Sequence, residues 1–219
     1  PDDAPLGTSY IEYAELNDPI IEIAITPNRG DCLGVRGIAR DLSAASIGRM
    51  KPLDTSECKG VFNSPIRWEL SPDALEIVPR VTGRYFRNVT NNSSPEWMAR
   101  RLINIGQRSI SALVDITNYI MIDLGRPLHA FDADKINGDT LFIRPANAGE
   151  KILALNEKEY TCTTDMLVIG DRDGADDIAG IMGGERTGIR NNTKNLFLEI
   201  AIFDPVSIAT TGRTLNINS

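Results

Sequence analysis

The pattern change at Gly125-Arg126-Pro127 constrains the fold of this chain more than any other feature. Two segments before it carry helical periodicity. In the first, Ser94-Pro95-Glu96-Trp97 opens a helix with Ser94 as cap and Pro95 at the first helical position. Met98, Leu102 and Ile105 supply its apolar stripe and Gly106 ends it. In the second, over about 111–124, Leu113, Ile116, Ile120 and Leu124 share one face, while Asp115, Asn118 and Tyr119 project elsewhere. Gly125 is the C-terminal cap of that helix, and Pro127 prevents its continuation. Beyond this point the apolar runs are short: 140–145, 151–155, 159–162, 166–170, 178–182 and 196–203. Gly, Asn and Asp separate them, as turn residues do. Helices followed by many short strands predict an α+β domain with a mostly antiparallel, sandwich-like β core and a few helices.

The 219 residues, 42% of them hydrophobic, suffice for one sizeable core, or for one domain and a fragment of another. Residues 20–26 read as a strand and 26–31 as a turn with Asp31 as a helix N-cap. Val35, Ile38, Ala39 and Leu42 predict a helix over about 33–47, stopped at Gly48. Residues 51–65 are polar and include Pro52, Gly60 and Pro65, the composition of a linker. The expected organisation is a small partial α/β module over 1–50, a linker over 51–65, and a main domain over 66–219 that begins with a basic, strand-like segment at 80–90. The chain starts at Pro1 without an initiator Met and stops at Asn218-Ser219, so it is read as a piece of a longer protein.

Composition removes several classes of function. A net charge of -7 argues against a general nucleic-acid binder, which is usually basic. No apolar run approaches the ~18 residues of a membrane span. Cys32, Cys58 and Cys162 are odd in number and far apart, and no CxxC occurs. Neither a disulfide framework nor a zinc site is indicated, and reduced thiols in the cytosol are expected.

His129 is the only histidine, so any imidazole chemistry falls to it. It is expected in the loop after the second helix. No GxSxG elbow or HExxH spacing accompanies it, which leaves no triad nucleophile and no metal site. Two readings are open: a structural imidazole bonding a backbone carbonyl, or a group that positions water, shuttles a proton or binds substrate. Glu199 stands alone in an otherwise apolar strand, where burying a carboxylate is expensive unless it is paired. It is either satisfied by an amide or arginine, or it is an acceptor on a pocket floor. The cluster Ala179-Gly180-Ile181-Met182-Gly183-Gly184 is either a tight turn or a place where backbone approaches a ligand. Thr117 and Asn118, late in the second helix, either face solvent or face the cavity of His129. Arg108 is either a solvated loop charge or a group that holds an anion.

Five ordered motifs carry a resemblance. Thr26 to Arg40 (TPNRGDCLGVRGIAR), Val114 to Tyr119 (VDITNY), Arg126 to Asp132 (RPLHAFD), Ala179 to Glu185 (AGIMGGE), and Leu198-Glu199 through Phe203 to Ser207 (FDPVS) follow one another as in the bacterial phenylalanyl-tRNA synthetase β-subunit family. The resemblance covers nearly the whole chain, from the end of one module into the central editing region. It implies an aminoacyl-ester hydrolase that clears tyrosine mischarged onto tRNA-Phe. It implies that Glu199 accepts the tyrosine phenol hydroxyl, with Thr117, Ala179 and Gly180 around the substrate. It implies that His129, Asn118 and Arg108 lie near the ester, the attacking water or the terminal ribose. The expected partners are the 3′ end of tRNA-Phe and the synthetase α subunit in an α₂β₂ parent, with no membrane. No cofactor is expected in this piece, since the parent ligase uses ATP and magnesium elsewhere, and the location implied is the cytoplasm. In the family, a short pocket-lining stretch begins where this chain stops, at 218–219. The alternative function is a non-catalytic RNA-binding or scaffold module of the synthetase.

Overall fold

The computed structural model describes residues 4–14 and 16–217. In chain order the elements are α1 (Tyr10–Tyr13), α2 (Val35–Ala44), β1 (Arg67–Leu70), α3 (Pro72–Leu75), β2 (Arg80–Phe86), α4 (Glu96–Asn104) and α5 (Ala112–Leu124). They continue with β3 (His129–Asp132), β4 (Thr140–Pro145), β5 (Lys151–Leu153), β6 (Glu159–Thr161), β7 (Leu167–Asp171), β8 (Gly174–Ile178), β9 (Leu196–Ile202) and α6 (Pro205–Leu215). One sheet has the order β1-β4-β7-β8, the second β2-β9-β3, and β5-β6 form a small hairpin. All pairings are antiparallel except β1 with β4. The α+β class read from the sequence is therefore the class observed.

The two larger sheets share a core because each offers an apolar face. Leu141, Ile143 and Ile169 from one meet Phe131 and Phe197 from the other, all fully buried. The Trp68 ring lies 5.6 Å from Phe197, tilted by 50°. Phe131 lies 6.5 Å from Phe197. These separations suit aromatic packing, and each such side chain contributes about 1.5–3 kcal/mol by burial. Strand β9, apolar on both faces as expected for a central strand, runs between β2 and β3. Gly83 of β2 pairs opposite Glu199, and a Cβ at Gly83 would overlap the Phe197 ring.

Several expectations are corrected. Residues 20–26 form no strand: no neighbouring strand lies alongside, so their amides lack a ladder, and Ile20, Ile21 and Ile23 are exposed. The helix expected over 33–47 is shorter, with Gly34 as its N-cap, while Asp31 sits in the 3-10 turn Gly30–Cys32. Pro95, not Ser94, caps α4, because the Ser94 hydroxyl donates instead to buried Asp115. Asp115 also accepts from the Ser109 hydroxyl at 2.6 Å and the Ile110 N–H at 2.9 Å, which turns it inward and leaves Ile116 exposed. His129 opens a strand and is not in a loop, since 129–132 pair with 196–199. The strand expected over 178–182 ends at Ile178, where Gly180 takes φ +70° and the N–H groups of Ile181 and Met182 turn back to the Ile178 carbonyl. Helix α6 was not expected. Asp204 caps it by accepting the Ser207 N–H at 2.8 Å, with Pro205 in the first turn. Residues 218–219, where the further pocket-lining stretch was expected, lie outside the described residues.

Gly83→Ala tests the sandwich. The added methyl meets a ring that is itself fully buried, so unfolding in urea is expected to show a loss of about 1–3 kcal/mol. An unchanged midpoint would mean that Phe197 is free to move.

Candidate functional site

The two sheets part at one end, and a cavity of about 460 Å³ opens there. Side chains two apart on a strand share a face, so Phe197, Glu199 and Ala201 all look into the sandwich. Phe197 fills the core, and Glu199 and Ala201 line the cavity. His129 is the register partner of Glu199 on β3, which puts both side chains on the same face at neighbouring positions. Opposite them, Asp177 projects from β8. The Gly180–Gly183 loop covers the cavity, and Ile208 of α6 closes one side.

Glycine is required in that loop. A Cβ at Gly183 would overlap the His129 ring, and one at Gly180 would press on Phe203 and Ile208. The N–H groups of Ile181, Met182 and Gly184 are engaged, the first two by Ile178 and the third by the Asp177 carboxyl at 2.6 Å. The N–H groups of Gly180 and Gly183 donate to no group among the described residues.

The His129 ring packs edge-on against Phe131 at 4.4 Å. Its Nε2 faces Asp177 Oδ2 at 3.4 Å in a geometry that makes no hydrogen bond. Among the described residues, Nε2 and the core Trp68 Nε1 are the buried side-chain nitrogens or oxygens without a hydrogen-bond partner. Burial lowers the His129 pKa to about 4, so the ring is neutral near pH 7. Glu199 is 5% exposed, and no donor reaches its carboxyl among the described residues. Burial raises its pKa to about 7. Asp177 is pushed well above the usual carboxylate range by burial and then by the charge of neighbouring Asp176. The cavity thus sets one neutral imidazole among two carboxyls that resist ionisation, an arrangement that can exchange hydrogen bonds with a polar ligand without a fixed charge.

Of the residues singled out in the sequence, the structure brings His129, Glu199 and Gly180 to this cavity. Thr117, Asn118, Arg108 and Ala179 do not line it. Thr117 donates its hydroxyl to the Val114 carbonyl at 2.7 Å within α5, and Asn118 is half-buried on the same helix. Arg108 is exposed between α4 and α5. Ala179 is buried beneath the loop, its N–H bonded to the Leu167 carbonyl at 3.0 Å. Two charged residues of the lining were missed. Arg126 is exposed at the cavity's edge. Asp177 had a signal, the paired carboxylates Asp176-Asp177 directly abutting an apolar run. The group with metal-ligand spacing among the described residues, Asp31, Cys32 and Asp41, lies in the N-terminal part, where Arg29 and Arg40 already pair with its carboxylates.

An antiparallel sandwich whose end cavity is roofed by a glycine loop is matched by the family model described as the B3/4 domain over residues 77–219, and the chain belongs to that family. Across nearly its whole length the chain is similar to phenylalanine–tRNA ligase β subunits. It is 51% identical over 216 residues to that of Gluconobacter oxydans, covering 99% of this chain and 26% of the relative. It is 49% identical over 217 residues to that of Mesorhizobium japonicum, covering 99% and 27%. The chain therefore spans about a quarter of the length of these curated relatives. A solved N-terminal fragment of the phenylalanyl-tRNA synthetase β subunit from Pyrococcus horikoshii is 19% identical, with 83% of this chain and 55% of that one covered at a TM-score of 0.48.

The raised pKa of Glu199 makes stability depend on pH. The folded chain holds this proton more tightly than the unfolded one, so its contribution to stability is full below about pH 4.5 and is lost as pH rises towards and past about 7. Neutral His129 works in the opposite direction between about pH 4 and 6.5. Comparing the wild type with Glu199→Gln cancels the histidine contribution. Between pH 5 and pH 8 the wild type is expected to lose on the order of 3 kcal/mol relative to Glu199→Gln in chemical denaturation. Parallel stability curves would show that Glu199 ionises normally.

Proposed function

We propose that this chain is the editing region of a phenylalanyl-tRNA synthetase β subunit and hydrolyses the ester of tyrosine mischarged onto tRNA-Phe. The observation that carries this reading is Glu199, a buried carboxyl beside the only histidine, open to a cavity and supplied with no donor of its own. Tyrosine and phenylalanine differ by one hydroxyl. A pocket whose buried acceptor is satisfied only by that hydroxyl rejects the analogue lacking it, by as much as ~10⁴–10⁵. Glu199 accepts a hydrogen bond from the phenol O–H, and correct phenylalanyl-tRNA, which leaves the carboxyl unpaired, is spared.

Water is the nucleophile, since the sequence holds no nucleophile signature. Its oxygen bonds to the ester carbonyl carbon, the bond from that carbon to the ribose oxygen breaks, and the ribose oxygen leaves with a proton. Free tyrosine and tRNA are the products. The unengaged N–H groups of Gly180 and Gly183 are suited to the oxyanion that develops on the carbonyl oxygen. His129, across the loop from Gly183, orients the ester or the water. The reaction needs no cofactor in this chain. ATP and magnesium serve ligation at a site outside it, and the α subunit completes an α₂β₂ parent in the cytoplasm. Arg108, Asn118 and Thr117 stand outside the cavity, so a part for them requires that bound tRNA extend along α5.

The reading is tested with tyrosyl-tRNA-Phe and phenylalanyl-tRNA-Phe as substrates of the full-length protein. His129→Ala is expected to slow tyrosyl deacylation by about 10²–10³, the loss typical of one positioned hydrogen-bonding group. Glu199→Ala is expected to bring the tyrosine-to-phenylalanine rate ratio close to one. Deacylation at the parental rate in both variants would exclude the cavity as the hydrolytic site.

A further inference from the structure

The buried acid Asp177 has no part in the reading above, yet its carboxyl is the polar group nearest the buried nitrogen of His129. Its two oxygens have different surroundings. Oδ1 accepts the Gly184 N–H at 2.6 Å, and Oδ2 faces His129 Nε2 at 3.4 Å. Asp177 is 3% exposed. The charged and titratable groups around it are few. Asp176, on the same strand, is engaged through Oδ2 by the Thr187 N–H at 3.2 Å and by the Thr187 hydroxyl. Arg186 lies 3.4 Å from Asp176 Oδ1 and pairs with Asp171 on β7. Glu199 faces Asp177 from β9, His129 from β3, and Arg126 from the cavity's edge.

The donors are unequally shared: Asp176 has the Thr187 N–H and hydroxyl with Arg186 beside it, and among the described residues Asp177 has the Gly184 N–H alone. A second carboxylate on the next residue, dry and without a cation of its own, is disfavoured by burial and by like-charge repulsion. The acid proton of Asp177 then belongs on Oδ2, because Oδ1 already accepts from Gly184. An O–H on Oδ2 points at Nε2, and a neutral imidazole whose Nε2 accepts must carry its own proton on Nδ1. At 3.4 Å the two atoms stand at the long end of hydrogen-bond distance, without the alignment of a formed bond.

We propose that Asp177 is a positioning residue that fixes His129 as its Nδ1–H tautomer, so that the ring is a hydrogen-bond donor to the occupant of the cavity. An ionised Asp177 would do the opposite. It would accept Nε2–H and leave Nδ1 as a base. The catalytic consequence rests on the ester-hydrolysis reading: His129 would donate to the ester or to the leaving ribose oxygen, and would not deprotonate water. The tautomer itself is independent of that reading.

Because His129 is the only histidine, nitrogen-15 histidine labelling of the 219-residue chain gives one pair of ring signals without assignment. At pH 7 the expected spectrum has a protonated Nδ1 and an unprotonated Nε2. Asp177→Asn is expected to keep that pattern, because its amide can accept from Gly184 and donate to Nε2. Asp177→Leu, isosteric but mute, is expected to shift the ring towards the Nε2–H form. A wild-type ring in the Nε2–H form overturns the proposal, and so does an Asp177→Asn spectrum that switches tautomer. The wild-type measurement needs no variant to fold. A chain with the expected tautomer that leaves tyrosyl-tRNA-Phe intact would remove the hydrolytic reading and not this one.

Discussion

The pairing of β3 with β9 is held by two phenylalanines. Phe131 and Phe197 are register partners, both fully buried, and each packs into the core shared by the two sheets. Two residues further along the same pair, on the same face, come His129 and Glu199. A slip of one residue in either strand would turn that strand's phenylalanine out of the core and its polar group away from the cavity. The hydrophobic core and the candidate site are therefore one register, and the energy that fixes the first fixes the second.

That coupling explains how the chain tolerates three titratable groups at the end of a dry sandwich. None has to be charged. Burial drives the histidine to its neutral form, and it raises the pKa of Glu199 to about 7 and that of Asp177 well above the usual carboxylate range. Ionised, any of them would be a charge taken out of water, at a cost of several kcal/mol. Neutral, they are a set of hydrogen-bonding groups whose complement is a polar, uncharged feature of a ligand. A phenol fits that description, and a phenyl ring does not.

Much of this was legible from residues alone. The α+β class followed from the change of period at Gly125, and the central place of β9 followed from a run with no polar face. Glu199 was visible as a carboxylate expensive to bury unless paired, and His129 as the only imidazole. Their adjacency was not legible. The four residues of β3 are too few to show alternation, and Pro127 just before them reads as loop. Helix α6 has its signal in Asp204-Pro205, a cap and first-turn pair, directly after the apolar strand. Asp177 was missed because its strand was placed four residues too late, at 178 and not 174. Thr117, Asn118, Arg108 and Ala179 were open between a structural and a functional reading, which the resemblance alone turned towards the pocket, and the geometry sets them apart from the cavity. Residues 20–26 show the limit of local pattern most plainly. Their composition is that of a strand, but a strand is a pairwise object.

Gly125 ends α5 with a left-handed turn, and Gly34 at the start of α2 lies against it so closely that a Cβ on Gly34 would overlap the Gly125 backbone. Four residues after Gly125 the chain reaches His129. The contact has a consequence for how such a sequence can drift. Position 34 needs the absence of a side chain because what faces it is the backbone of residue 125, which no substitution there removes. Selection on the entrance to β3 thus extends to a residue far upstream in the chain. Each position is constrained on its own, whatever residue stands at the other.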